Sequence, residues 1–383
     1  MRKSTIAFGV ALAALVVAGV NQAIAAEPIK VGAVLSLTGG AAPLGEPEAQ
    51  TLQMMVDETN KAGGLLGRRV ALIQFDDGSD PGKANGFVKR LIEDEKVDML
   101  IGGTTTGATM AMYSLVERAE IPFISLGGAR VIVDPVKKWL FKVSHDDRMA
   151  SERALQDMAG RGYKSIALLA DTTGYGQSSR KETLAVAGKY GVSIIADETF
   201  NVKDTDVTAQ LAKIKNNPAV QALFVSSFGQ GPIVVAKGMA QLGMTLPHYE
   251  GHGSASQEYL NLTGAASEGV RMPSPAVIVA QVLPDSDPQK ALSAEYAKAF
   301  EARFKTPPST FGAYARDAWL LWVNAVTRAG STDKAKVRDA LENTKDFPDT
   351  SGIVTMSPQD HLGIDSSGLK MVQIKNGGWT LAK

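Results

Sequence analysis

The chain contains no cysteine. Disulfides, thiol chemistry and Cys-based zinc sites are therefore excluded, as is lipid attachment through a Cys after a leader peptide. Histidine is scarce too, with 4 in all, and none lies in an HExxH pair. His248 and His252 are four apart, but Pro247, Gly251 and Gly253 argue against a helix presenting both to one metal ion. An excess of one charge is also missing, since 40 basic residues face 40 acidic ones. Without Arg2 and Lys3 the balance is 38 to 40, which gives no reason to expect nucleic acid or an anionic membrane surface as a partner. Beyond Val20 no long apolar run recurs, so nothing in the later chain reads as a membrane span.

What is present starts with an address. Arg2 and Lys3 precede the uncharged apolar run Ile6 to Val20, and Ala23-Ile24-Ala25 has the small-x-small form of a cleavage site. Residues 1–26 are therefore expected to be a cleaved secretory signal peptide. The remaining chain, with 44% hydrophobic and 21% charged residues overall, has the composition of a globular protein of one large or two medium domains.

From Glu27 onward, apolar runs alternate with segments of helical period. Lys30 to Leu37, Val70 to Phe75, Val97 to Ile101 and Pro122 to Leu126 read as strands. Leu52, Met55, Val56 and Thr59 mark one face of a helix predicted to begin near Glu46-Pro47-Glu48. The pattern starts again with strands at Ser165 to Ala170, Val192 to Ala196, Val220 to Ser226 and His248 to Gly251. Strands separated by helices imply parallel βαβ units, and two such sets imply an α/β protein of two doubly wound parallel-sheet domains. Ligands of such sheets bind beyond the carboxyl ends of the strands. After Met272-Pro273-Ser274-Pro275 the composition shifts to helices over Pro288 to Phe304, Phe311 to Ala329 and Asp333 to Asn343.

One stretch, Met99 to Ala129, carries the clearest chemistry. A buried strand runs into Gly102-Gly103, and Thr104, Thr105 and Thr106 follow where a helix begins. Hydroxyls beside unpaired N–H groups suit a small anion, carboxylate as well as phosphate; a plain N-cap accounts for the same residues.

The ordered set of segments resembles the periplasmic solute-binding proteins of ABC importers, in the group of the leucine/isoleucine/valine-binding proteins. The resemblance runs through VGAVLSLTGGAAPLGEPEAQ, NKAGGLLGRRV, FDDGSDPGKA, LIEDEKVDMLIGG, IPFISLGG, DTTGYGQ and FGAYARDAWLLW. It implies the type I periplasmic-binding fold, two domains joined by three hinge crossovers. One domain would comprise residues 27–143 plus 273–354, and the other 144–272 plus 355–383. It implies a ligand cleft in which Thr105, Thr106, Gly127, Gly128 and Ala129 hold a carboxylate. Tyr175, Ser227 and Phe228 would form the opposite wall, with Leu44 where an aromatic is common. His252 stands where amino-acid binders carry the Asp or Glu that pairs with an ammonium. A neutral imidazole does not replace that charge. The resemblance with this substitution points to a carboxylate without an ammonium, such as an aromatic acid, while Glu250 could serve an amino acid if the loop slipped by two residues.

The expected activity is ligand capture, not catalysis, by a monomeric periplasmic receptor that delivers its ligand to the transmembrane subunits of an ABC permease. No cofactor is expected. An amino-acid receptor and a sensor subunit remain alternatives. A secreted hydrolase would require turnover dependent on Ser254 or His252, and the G-x-S-x-G elbow is missing. Gly174-Tyr175-Gly176 and Gly229-Gln230-Gly231 lack the full spacing of a phosphate loop and read as turns, and Asp76, Asp77 and Asp80 read as a solvated turn, not a calcium loop.

Overall fold

The computed structural model describes residues 27–383. The expected signal peptide lies outside them. Among the described residues no helix is long and apolar enough to cross a membrane.

The first sheet is built from β1 (Ile29–Leu35), β2 (Val70–Asp76), β3 (Met99–Gly102), β4 (Phe123–Ser125) and β5 (Leu140–Lys142). Its order is β2-β1-β3-β4-β5, and every pairing is parallel. The connecting helices are α1 (Ala42–Lys61), α2 (Pro81–Glu93) and α3 (Thr106–Ala119). The helix expected from Glu46 begins earlier. Pro43 occupies its first turn, where a missing N–H costs nothing, and Pro47 falls inside. The anticipated face is kept, with Leu52, Met55 and Val56 buried.

The second sheet repeats the theme with β6 (Ser165–Asp171), β7 (Ser193–Phe200), β8 (Ala222–Ser226), β9 (His248–Glu250) and β10 (Arg271–Ser274). Its helices are α4 (Asp147–Gly160), α5 (Gly174–Val186), α6 (Thr208–Lys215), α7 (Gln230–Gln241) and α8 (Gln257–Thr263). The chain then returns to the first sheet with α9 (Lys290–Phe304), α10 (Thr310–Ala329) and α11 (Lys334–Glu342), α10 lying along α1. A small ribbon, β11 (Phe347–Pro348) with β12 (Ile353–Val354), precedes the last passage. The tail adds β13 (Lys370–Lys375) and β14 (Gly378–Leu381), antiparallel, giving the order β14-β13-β10-β9-β8-β6-β7. The molecule is an α/β protein of two doubly wound sheets between which the chain passes three times.

Two boundaries differ from the sequence reading. Ser274, expected at a crossing, pairs with Lys370 in the second sheet, and Ala276, Val279 and Leu283 are buried in that sheet's core. Residues after 354 do not all join the second half. Met356, Leu362 and Ile364 are buried with the first core, and His361 stacks on Phe141 at 4.2 Å. Apolar side chains decide such allegiance by the surface they bury, which a local period does not reveal.

Candidate functional site

The loops at the carboxyl ends of both sheets face one another. Beyond β3, Gly102 (φ +152) and Gly103 (φ +65) turn the backbone, and the Gly103 N–H donates to the Val34 carbonyl at 2.8 Å. Thr105 then caps α3, its Oγ1 accepting from the Ala108 N–H at 3.1 Å. Thr106, in the first turn, is buried, and its Oγ1 has no partner. The plain cap and the anion site are thus divided between neighbours, Thr105 serving the helix and Thr106 offering a free hydroxyl to the cleft.

A small cavity of about 20 Å³ lies between the sheets. Leu44, Thr105, Thr106, Gly128, Tyr175, Phe228 and His252 line it. Three anticipated residues do not. The Gly127 N–H donates to Ser125 Oγ and its carbonyl accepts from Ser144 Oγ, so the residue is tied into the loop. Ala129 is buried ahead of a short 3₁₀ turn, and the Ser227 hydroxyl donates to Asp171 at 2.7 Å. Thr104, read with its two neighbours as a candidate anion hydroxyl, lines the cavity as well, and the sequence reading missed Leu126, Ser144, Gly253, Phe311 and Tyr314.

On the second side, Gly174-Tyr175-Gly176 is the first turn of α5, not a loop. Thr173 caps it by accepting from the Gly176 N–H at 3.2 Å. Tyr175 meets Phe228 edge to face at 6.0 Å between ring centres and His252 likewise at 5.6 Å, both within the range for favourable aromatic pairs. Burial, with Asp147 and Asp171 nearby, holds the Tyr175 phenol well above its ordinary pKa. Gly128 closes the site from the first side. A Cβ there would sit 3.1 Å from both His252 Nε2 and the Tyr175 ring, so the backbone packs directly against them.

His252 is buried, and its Nε2 has no partner. Burial, and then the positive charge of Lys142, push its pKa down to about 3, so the ring is neutral at ordinary pH. Glu250 is engaged elsewhere. Its Oε1 lies 2.8 Å from His248 Nε2, and its Oε2 accepts from Ser254 Oγ at 3.1 Å. Ser254 and His252 therefore do not form a nucleophile–base pair. The acidic turn after β2 is structural too: Asp80 caps α2, and the expectation of a solvated turn fails for Asp77, which is buried and accepts from Ser36 Oγ at 2.7 Å.

No side chain lining the cavity carries a formal charge. The description "periplasmic binding protein" belongs to a family whose sequence pattern matches residues 28–378. The chain belongs to that family. Among the relatives of this periplasmic binding protein is the leucine-, isoleucine-, valine-, threonine- and alanine-binding protein of Pseudomonas aeruginosa, 26% identical over 100% of this chain and 96% of its own. Among solved structures, an extracellular ligand-binding receptor from Rhodopseudomonas palustris HaA2 superposes with a TM-score of 0.86 at 28% identity, covering 93% of this chain and 100% of that one. A solute-binding protein of an ABC transporter from R. palustris, in complex with benzoate, gives a TM-score of 0.80 at 23% identity over 93% of this chain and 95% of its own, a likeness of fold.

Proposed function

We propose that this periplasmic binding protein is the solute receptor of an ABC importer and that its ligand is an organic acid without an ammonium group, an aromatic acid foremost. The observation that carries the reading is the wall around His252. An ammonium in the cavity would face a neutral imidazole, with Glu250 already bonded to His248 and Ser254. Glu48 sits behind Thr104, whose hydroxyl donates to it, and burial raises its pKa well above the ordinary carboxylate value. Leaving an ammonium buried without a counter-charge costs several kcal/mol. A carboxylate meets better partners in the Thr106 hydroxyl and the N-terminus of α3, and a ring meets Tyr175, Phe228 and Leu44.

Leu44, Thr105, Thr106 and Gly128 belong to the half built on the first sheet, and Tyr175, Phe228 and His252 to the half built on the second. A ligand touching both stabilises the closed arrangement, with the three chain passages as the hinge. The cavity has room for little more than a water, so an acid enters with the halves apart. The closed form is then the one read by the permease.

The test is thermal stabilisation of the mature protein by benzoate, 4-hydroxybenzoate, phenylacetate and short 2-oxo acids against leucine, isoleucine, valine, threonine and alanine. A binding acid at a hundred times its dissociation constant adds about 2.7 kcal/mol of stability. A shift with the amino acids and none with the acids would overturn the reading in favour of an amino-acid receptor.

A further inference from the structure

We infer that Lys142, a residue that does not line the cavity, supplies the counter-charge for the ligand carboxylate and acts through the hydroxyl of Ser144, which does. The inference rests on the reading that the ligand carries a carboxylate, and it holds whether or not an ammonium accompanies it.

Lys142 ends β5 and is fully buried. Its Nζ donates to the Ser144 carbonyl, to Ser144 Oγ at 2.6 Å and to the His145 carbonyl at 2.9 Å. All three acceptors are neutral, and among the described residues Lys142 forms no ion pair. A buried ammonium bonded only to neutral oxygens is a costly arrangement, and an anion arriving nearby would be rewarded for relieving it.

The path to the cavity is one hydroxyl long. Ser144 lines the cavity, accepts from Lys142, and donates its own proton to the Gly127 carbonyl at 2.7 Å. Turning that proton from Gly127 to a ligand oxygen would give the carboxylate a hydroxyl donor polarised by an ammonium. The opposite wall is built differently. Thr104 also lines the cavity and donates to a buried carboxyl, Glu48, whose pKa burial raises well above the ordinary value. Of the two hydroxyl relays, the one from Lys142 leads to a basic group, whose sign suits an anion.

The surrounding charges leave room for this role. Asp146 is held by Arg130 Nη1 at 3.1 Å and caps α4. Asp147, with one oxygen accepting from the Arg130 N–H and the other unpartnered, is pushed up to about 6 by burial. His145 and His252 are driven down by burial and, among nearby charges, by Lys142, and both are neutral above pH 7. Lys370 is a further positive neighbour of His145 and also lowers it. Burial outweighs Asp146 and Asp147 at Lys142 itself and lowers it to about 7, so between pH 7 and 9 it is the group in this cluster that titrates. A bound carboxylate favours the ammonium, so binding takes up a proton in that window. Affinity should then fall by up to tenfold per pH unit above 7.

The experiment titrates the mature protein calorimetrically with benzoate and, separately, with isoleucine, at pH 6 and 8 and in buffers of different ionisation enthalpy. Wild type should take up close to one proton at pH 8 and almost none at pH 6 with whichever probe binds. Lys142→Met should weaken that probe at least thirtyfold at pH 6 and abolish the proton uptake. Ser144→Ala should weaken it less and retain part of the uptake, and it leaves Lys142 in place should the Met variant not fold. Uptake unchanged in a folded Lys142→Met, or absent from wild type, overturns the inference. Binding of isoleucine alone with the proton uptake intact would sink the ammonium-free reading and leave the role of Lys142 standing. Binding of neither probe by wild type would overturn both.

Discussion

Glu250 and His252 stand two residues apart and serve different neighbourhoods. Glu250 is bonded on both oxygens, to His248 at 2.8 Å and to Ser254 at 3.1 Å, while His252 packs against Gly128 and lines the cavity. Strand β9 ends at Glu250, and the short 3₁₀ turn that follows breaks the alternation that would have put i and i+2 on one face. The residue lining the cavity is therefore neutral, and the nearby acid is already engaged.

Placing a carboxylate at that point should reverse the preference. His252→Asp is expected to weaken benzoate more than tenfold, about 1.4 kcal/mol, while isoleucine is not weakened. Titration calorimetry on both probes distinguishes this from simple damage to the site, which would weaken the two alike.

His252 also ties stability to pH. Its folded pKa of about 3 lies below its ordinary 6.5, so the unfolded chain binds the proton more readily. The stability it contributes is fully present above pH 6.5 and is lost as pH falls toward 3. His252→Gln removes that proton. Its stability relative to wild type should improve by about 1.4 kcal/mol for each pH unit below 6.5. Urea unfolding of the two proteins at pH 7, 6 and 5 measures this, and parallel curves would contradict it.

A bare backbone at Gly229 lets a second-sheet loop meet a first-sheet loop. This residue has φ +60, and a Cβ on it would lie 2.0 Å from the Gly40 carbonyl oxygen on the first-sheet side. The next residue, Gln230, donates its N–H to that same oxygen at 3.3 Å. Gly229→Ala should hold the halves apart and weaken a binding acid at least tenfold, with a larger radius of gyration in X-ray scattering when the acid is added. An unchanged affinity would mean that the two loops do not need to meet.

The long helix α10 should be the most sensitive part of the first core. Trp319 is fully buried, meets Trp322 at 5.0 Å between ring centres, and donates its indole N–H to Thr59 Oγ1 at 3.1 Å. Trp319→Ala should cost about 3–5 kcal/mol, read as a lower denaturant midpoint with little change in slope. A loss below 1 kcal/mol would contradict the packing described.

Much of the candidate site's lining was legible because its residues sit at places where local rules act. The run Met99 to Ile101 followed by Gly102-Gly103 announces a strand and a sharp turn, and a row of threonines after it announces a helix start. Tyr175, Phe228 and His252 each follow a recognisable strand end. The failures have equally local causes. Gly127 and Ala129 neighbour a lining residue, but consecutive backbone units point different ways, and the partners that occupy Gly127, Ser125 and Ser144, are not announced by any local pattern. Phe311 and Tyr314 belong to a helix buried on nearly every side. Its sequence pattern marks a core helix and gives no sign of which turn faces a cleft.

The sequence by itself determined the alternation of strand and helix, the repetition that makes two sheets, the glycine and threonine turns at the strand ends, and the lack of cysteine chemistry. Those follow from period, conformational freedom and composition, all properties of short stretches. Only the tertiary structure decided which segments between 274 and 364 belong to which core, that Thr106 and not Thr105 is free, that Glu250 is engaged, and that Lys142 is buried one hydroxyl from the cavity. Each of these depends on a partner distant in sequence, or on whether another group has already taken the bond. Burial and competition for hydrogen bonds are settled only when the whole chain has packed.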